Sequence, residues 1–479
     1  MSRRDAAPAV DLPAARVGAA FHPRRDELTV ADAYADQGAV ERLVRHALLA
    51  AGLGRRHPDA PLADLIQPGD TVLLKPNWVL DRNQAGHGME CLVTHPSVIV
   101  AVLREVARAD PGRVVVGDAP IQLCDFDRIV TREVGRRFQQ AVRCPLDIAD
   151  FRRTVAASQD MSDGVCTGLG GEERFVRFDL ARTSLLEPVS SEEDDFRITN
   201  YDPRELSRTH RRGRHQYLVC RDALEADVVI GLPKLKTHRK AGITGALKNL
   251  VGINGSKEFL PHHRRGSVEE GGDCYARRSL TLSAVEEALD RANRSIGTAG
   301  YKVWYDRAMK YWRRENRRAP AQVEGSWHGN DTVWRMALDL NRVLLYGRAD
   351  GTMADRAVRH VYSITDAIVA GQGEGPLAPA PAVLGAVTCA NGSAYGDLMH
   401  ATLMGFDWRR IPIVRESFGS FAYPIALTAP ADCVLAVHDG GGVTATPFAE
   451  VFEGCGRRFE PPSTWRGHIE RDADDREAA

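Results

Sequence analysis

Hydrophobic and polar positions along this chain switch repeatedly between two periods. Residues 40–51 put Val40, Leu43, Val44, Ala47 and Leu48 on one stripe, the spacing of an amphipathic helix. Unbroken apolar runs follow. TVLLKP closes at Pro76, and RVVVGDAP (113–120) breaks into a turn, so both read as buried strands. Between them residues 96–107 fit a helix, with Pro96 early in its first turn after Thr94 and His95. FDRIVTREVGRRFQQAV reads as a further helix and residues 145–148 as the start of another strand. Strands alternating with helices predict βαβ units around a parallel sheet.

The rhythm breaks over 151–215, where SSEEDDF and SRTHRRGRH are charge runs of opposite sign that predict a solvated insertion. It returns with ADVVIGLP and continues in helices over 279–294 and 332–346. YKVWYDRAMKYWRRENRR between them mixes aromatics with arginines. Such a mixture can mark a nucleic-acid surface, but an amphipathic helix docked through its aromatic side is the commoner origin. The last block, VYSITDAIVAGQGEGPLAPAPAVLGAVTCANGSAYGDLMHATLMGFD, reads as strand, glycine loop, strand and a helix from about Ser393. The expected class is α/β: Rossmann-like parallel or mixed sheets with flanking helices, in two lobes with insertions. Its parts are a tail at 1–15, a core at 16–278 carrying the charged insertion 151–215, a second α/β part at 279–460 with a helical insertion near 299–330, and a polar tail at 461–479.

The length, 479 residues, exceeds what one core usually serves. A formal net charge of −1 gives no global field for nucleic acid or an anionic membrane, so any anion binding must be local. The nine cysteines stand singly, without a C-x-x-C pair, which argues against an iron–sulfur cluster or a zinc knuckle. An odd number in a long chain favours reduced thiols in a cytoplasmic protein. Ser2-Arg3-Arg4-Asp5 opens like a twin-arginine export signal, but Asp11, two prolines and Arg16 break the stretch behind it. No segment offers the ~18 apolar residues of a membrane span. The expected partner is a small anionic molecule, with no nucleic acid and no membrane; nothing in the sequence sets the oligomeric state.

The chemistry gathers after ADVVIGLP, which runs into KLKTHRKAGITGALKNLVG and then KEFLPHHRRGSVEEGGDCY. This stretch brings Lys234, Lys236, His238, Lys248, Lys257, His262, His263, Glu269, Glu270 and Asp273 close in sequence, more ionisable chemistry than a core connection needs. Loops leaving strand ends are where α/β proteins put their ligands.

With VLLKPNWV, THPSVIVAVLREV, VVVGDAP, ADVVIGLPKLKTH…GITGALKNLVG and DAIVAGQGEGP…D…MG in this order, the chain resembles the domain of unknown function 362 family over roughly 65–270 and 355–415. That family name carries no activity; some members have ferredoxin-type cysteine motifs that this sequence lacks. The chain more distantly resembles the nickel-pincer lactate racemase family: ADVVI leads to His238, Lys248 lies ten residues later, and His262 and His263 stand where that family has a metal-binding histidine. The resemblance implies proton transfer by His238, a pincer cofactor on Lys248 and nickel on a downstream histidine. The family's second catalytic histidine, in a G-T-H-R turn, is replaced here by Gly117-Asp118-Ala119-Pro120, so Asp118 takes its place.

Read from their own chemistry, these residues keep two meanings. His238 is a general base or metal ligand, or a surface loop histidine. Lys248 binds an anion or acts as a nucleophile between close-approach glycines, or is a solvated helical lysine; Thr244 precedes it as a helix cap or substrate contact. His262, His263 and Asp273, with Glu269 and Glu270 nearby, form a nitrogen-and-oxygen set suited to a divalent metal or a polar lid, and adjacent histidines point in different directions. Lys75, Asn77 and Trp78 end a strand beside the Thr94-His95 helix start, a second place for a carboxylate or phosphate. Asp118 is a ligand or base, or a turn cap. GQGEGP has the wrong spacing for dinucleotide binding and suits a tight pocket-lining loop, with Asp366 and Asp397 at the same mouth. The resulting expectation is an enzyme that holds a small anion on Lys75, Asn77, Lys236, Thr244 and Asp397 and works through His238, Lys248 and Asp118, with isomerase- or epimerase-like chemistry. A non-catalytic anion-binding protein and a phosphoryl- or nucleotide-handling enzyme are the alternatives, the last without a Walker A or ATP-grasp signature.

Overall fold

The computed structural model describes residues 15–157, 166–192, 195–316, 323–438, 442–446 and 450–471. The expected N-terminal tail and export motif, part of SSEEDDF and the end of the C-terminal tail fall outside them.

One mixed sheet of eleven strands runs through the molecule. Thr71–Pro76 and Val228–Leu232 lie at its centre, buried along their whole length, as unbroken apolar runs require when both faces are covered. Four parallel strands stand side by side: Val228–Leu232, Thr71–Pro76, Arg113–Asp118 and Leu146–Asp150. On the other flank His360–Glu374 pairs parallel to Val228–Leu232 and turns back into Ala378–Ala390 as a long antiparallel hairpin. Arg16–Phe21 closes against that hairpin on one edge and against Val434–His438 on the other. The two sequence halves expected as lobes therefore share one continuous sheet. GQGEGP is largely strand, since Gly371–Glu374 pairs with Ala378–Pro381.

Local signals set the helices. Pro96–Ala107 begins where His95 Nδ1 accepts the Ser97 N–H, and Leu280–Arg294 begins where the Ser279 hydroxyl accepts from Leu282. The helix expected over FDRIVTREVGRRFQQAV is two, Phe126–Ile129 and Arg132–Ala141, because Thr131 caps the second. Ala299–Asn316 docks through Tyr301, half-buried Tyr305, Ala308 and half-buried Trp312, one stripe facing the preceding helix, as its amphipathic pattern implied.

Two charged stretches differ from expectation. Within 151–215, Phe151, Phe175, Phe178, Leu186 and Phe196 join the core, and His210 and His215 of SRTHRRGRH point inward with Nδ1 atoms 3.4 Å apart. Phe459, Trp465 and Ile469 are buried likewise; Trp465 packs beside Gly242 and donates to the Arg239 carbonyl at 2.7 Å. Apolar residues spaced inside a polar run carry little periodic signal, yet each buries enough area to fix its segment.

Candidate functional site

The ends of the central parallel strands converge on one ion pair. Lys75 Nζ lies 2.6 Å from Asp118 Oδ1, and both side chains are buried. Lys75 also donates to Asn249 Oδ1 at 3.0 Å and to the Pro76 carbonyl at 2.8 Å. Asp118 accepts the Trp78 and Ala119 N–H groups at 2.7 and 2.8 Å. Gly252 roofs the pair: a Cβ there would stand 1.9 Å from Asp118 Oδ1 and 2.6 Å from Lys75 Nζ. Asp118 and Lys75 are thus committed to each other. A pair this well hydrogen-bonded tolerates burial, whereas either partner alone would not.

Around the pair stand further cations. Lys257 Nζ donates to the Ala119 carbonyl at 3.2 Å. Lys236 reaches Asn77 Oδ1 at 2.8 Å and the Leu92 carbonyl. Across the strand pair from Lys236 lies Thr244, whose buried hydroxyl has no partner among the described residues. His238 is buried, and its Nδ1 accepts the Lys240 N–H at 3.0 Å, which leaves Nε2 to carry the proton of the neutral ring. His262 is wired the other way: Nδ1 faces the Leu260 carbonyl at 2.7 Å, so its Nε2 offers a lone pair. Lys248, half-buried on the short helix Ala246–Asn249, has no hydrogen-bond acceptor among the described residues.

These groups depress one another. Burial, then the fields of Lys257, Lys75 and Lys240, brings Lys248 down to about 7. Burial and Lys234 lower Lys236 to about 7, and burial lowers Lys257 to about 8 against the pull of Asp118. Burial and Lys248 hold His238 well below the ordinary imidazole range; burial and Lys240 do the same to His262. The cluster is an excess of positive potential whose nearest carboxylate, Asp118, already answers Lys75. Asn77, Lys240, Lys248 and His262 are its half-buried members.

Asp397, expected against substrate, lies beneath the helix instead. Its oxygens accept the Ala246 and Leu247 N–H groups at 2.6 and 3.0 Å, and His400 Nδ1 lies 2.9 Å away. Gly245 permits this, because a Cβ there would meet Asp397 Oδ1 at 1.9 Å. Asp397 therefore positions Lys248. The Thr94-His95 junction already holds a carboxylate, that of Asp366, which accepts the His95 N–H at 2.9 Å and pairs with Lys234 at 2.5 Å.

The expected metal set separates. His262 faces the lysines, while His263 lines a small separate cavity beside Cys274 and Glu286. Asp273 is not free for a metal: it accepts the Arg264 and Asp331 N–H groups at 2.5 and 2.8 Å and the Thr332 hydroxyl at 2.6 Å. Glu269 and Glu270 are exposed. Asn249, Gly252 and Lys240 are the members that sequence reasoning missed; the first two lie in the same KNLVG run as Lys248.

Fold and site together define an α/β protein with a lysine-rich cluster where parallel strands end. Residues 172–395 match the family described as Domain of unknown function (DUF362), the family that the motifs resemble. A thylakoid-associated protein of Synechocystis sp. is 28% identical over 205 residues, 43% of this chain and 46% of that relative, so the chain spans less than half the relative's length. A crystal structure of a Thermotoga maritima protein covers 73% of this chain and 54% of its own at 11% identity, with a TM-score of 0.29. No helix among the described residues is long and apolar enough to cross a membrane.

Proposed function

We propose that the protein is an enzyme acting on a small molecule with at least two negative charges, held by Lys236, Lys248, Lys257 and Thr244, with His238 and His262 moving protons. The observation that carries this reading is the convergence of Lys248, Lys236 and Lys257, depressed to about 7, 7 and 8, around an ion pair that cannot neutralise them. A cationic cluster of this kind is stabilised when an anion enters, and the unpartnered Thr244 hydroxyl gains an acceptor at the same moment. The neutral His238 ring presents an N–H and the His262 ring a lone pair, so one can donate a proton while the other accepts one. Lysines on the carboxylate of a bound acid would acidify the adjacent C–H, the condition for isomerisation or epimerisation.

The racemase resemblance implies a pincer cofactor with nickel, which would supply a metal centre beside the reacting carbon. His238, Lys248, an amine depressed to about 7 without an acceptor among the described residues, and His262, with a free Nε2, fit three of its four places. The fourth, that of the second catalytic histidine, is held by Asp118 in its ion pair with Lys75. The His/His pair of that chemistry is absent, so any proton transfer here falls to His238, His262 and Lys248.

A second reading, anion binding without turnover, is favoured by the fact that Lys75 and Lys236 are fixed by protein partners and arranged as a rigid receptor. One experiment separates the two. Di- and tricarboxylates, 2-hydroxy acids and phosphates are screened for a rise in melting temperature, and each stabilising acid is incubated with the protein in D2O. Stereospecific deuterium at the carbon beside the carboxylate, lost in His238→Asn with stabilisation retained, supports the enzyme; stabilisation without exchange supports the receptor; no stabilising anion removes both.

A further inference from the structure

We propose that His263, Cys274 and Glu286 form a binding site for a zinc-class divalent metal, separate from the lysine cluster. One ligand atom from each of these buried residues lies within 4.8 Å of the others. A zinc tetrahedron has edges of about 3.3–3.8 Å, within that bound, and a set of one nitrogen, one sulfur and one oxygen suits Zn2+.

The surroundings point to an occupant. His263 is 5% exposed, yet its Nδ1 is buried without a hydrogen-bond partner among the described residues. A buried imidazole nitrogen left unpaired costs about 1–3 kcal/mol. The Oδ1 of Asn293 is orphaned in the same way and lines the same small cavity, which has about 20 Å³ of free space, enough for one ion or water. Glu286 and Asn293 stand two turns apart on one face of Leu280–Arg294, so Asn293 sits where a fourth ligand or a bound water would be.

Glu286 is held by outer contacts of the kind that orient metal ligands. The Gly266 N–H donates to both of its oxygens, at 3.1 and 3.2 Å. The Cys274 thiol and the Tyr275 hydroxyl also donate to it. Charges balance: the cation takes the carboxylate and a thiolate, with the thiol proton released on binding. The neighbouring guanidinium groups are already answered, Arg197 by Asp290 at 2.8 Å and Arg264 by Asp273 at 3.6 Å. The ligands join the loop before the 280–294 helix to that helix, so the metal would add a tie to a region also held by the small cluster around Val285 and Val323 and by the Arg197–Asp290 pair.

The test uses the full chain, made without a metal-affinity tag and dialysed against excess Zn2+ or Co2+. We expect one equivalent of tightly held metal and, with Co2+, a thiolate-to-metal charge-transfer band. Cys274→Ser should abolish the band and lower metal affinity at least tenfold, while His262→Asn, in the lysine cluster, should change neither. Glu286→Gln gives the same reading should the serine variant fail to fold. Substoichiometric metal in the wild type, cobalt binding without a thiolate band, or metal lost in His262→Asn but kept in Cys274→Ser would each overturn the proposal.

Discussion

Replacing Lys248 by Met asks whether the cationic cluster strains the empty protein. Met keeps most of the side-chain volume and removes the charge. In the native chain Lys248 falls from 10.5 to about 7 through burial and the fields of Lys257, Lys75 and Lys240. A fall of that size corresponds to about 5 kcal/mol of differential destabilisation of the ammonium. Solvent reaches part of the side chain, so roughly half, ~2–3 kcal/mol, is the expected gain in the variant. The pH dependence follows from linkage. Between about pH 7 and 10 the unfolded chain holds a proton that the folded chain has released, so native stability rises with pH across that window. The advantage of Lys248→Met is therefore full near pH 6 and shrinks to less than half by about pH 9. Urea unfolding followed by tryptophan fluorescence, with midpoints compared at constant slope, reads both quantities. A variant equal to or less stable than the native chain at pH 6, or a difference flat with pH, would refute the strained cluster.

Gly252→Ala should be far more damaging than a surface glycine change, because its Cβ would meet Asp118 at 1.9 Å and part the Lys75–Asp118 pair; a loss of about 3–5 kcal/mol is expected in the same unfolding assay. Asp397→Asn should leave the sheet intact but weaken anion affinity about tenfold, since both N–H groups capped beneath Lys248 lose a charged acceptor and one of them is left facing an amide NH2 that cannot accept; titration calorimetry beside a circular dichroism melt reads both. His210→Phe should gain on the wild type as pH falls, because burial and His215 lower His210 to about 3, so below about pH 6.5 the unfolded chain takes up a proton that the folded chain refuses, and removing the ring removes that penalty; against a constant cost of about 1–3 kcal/mol for the Phe259 carbonyl that loses its partner, a melting-temperature difference that moves in the variant's favour from pH 8 to pH 5 would agree, and a flat difference would not.

The sheet was legible because its strands announce themselves: TVLLKP, RVVVGDAP and ADVVIGLP are apolar runs that only a strand covered on both faces requires, and Pro96 and Ser279 mark helix starts. That both halves share one sheet was not legible, since the pairing of Arg16–Phe21 with Ala378–Ala390 and Val434–His438 spans nearly the whole chain and leaves no local trace. At the site, Lys75, Asp118, Lys236, His238, Lys248 and His262 could be named from their place after strand ends, but not their roles. Charge in a sequence says nothing about who answers it. Asp397 and Asp273 look like free carboxylates until the backbone N–H groups that occupy them are seen. Glu286 comes from a helix with no motif joining it to Cys274, so only folding brings it beside His263.

The most direct test of the central claim is calorimetric titration of citrate and of pyrophosphate into the full chain near pH 7.5, each in two buffers of different ionisation enthalpy. An anion entering the cluster raises its lysines toward their ordinary values, so binding must take up protons from the buffer. One site per chain is expected for at least one of the two, with net proton uptake, lost in Lys236→Met and Lys248→Met. Absence of binding for both, binding without proton uptake, or binding unchanged in both variants would contradict it.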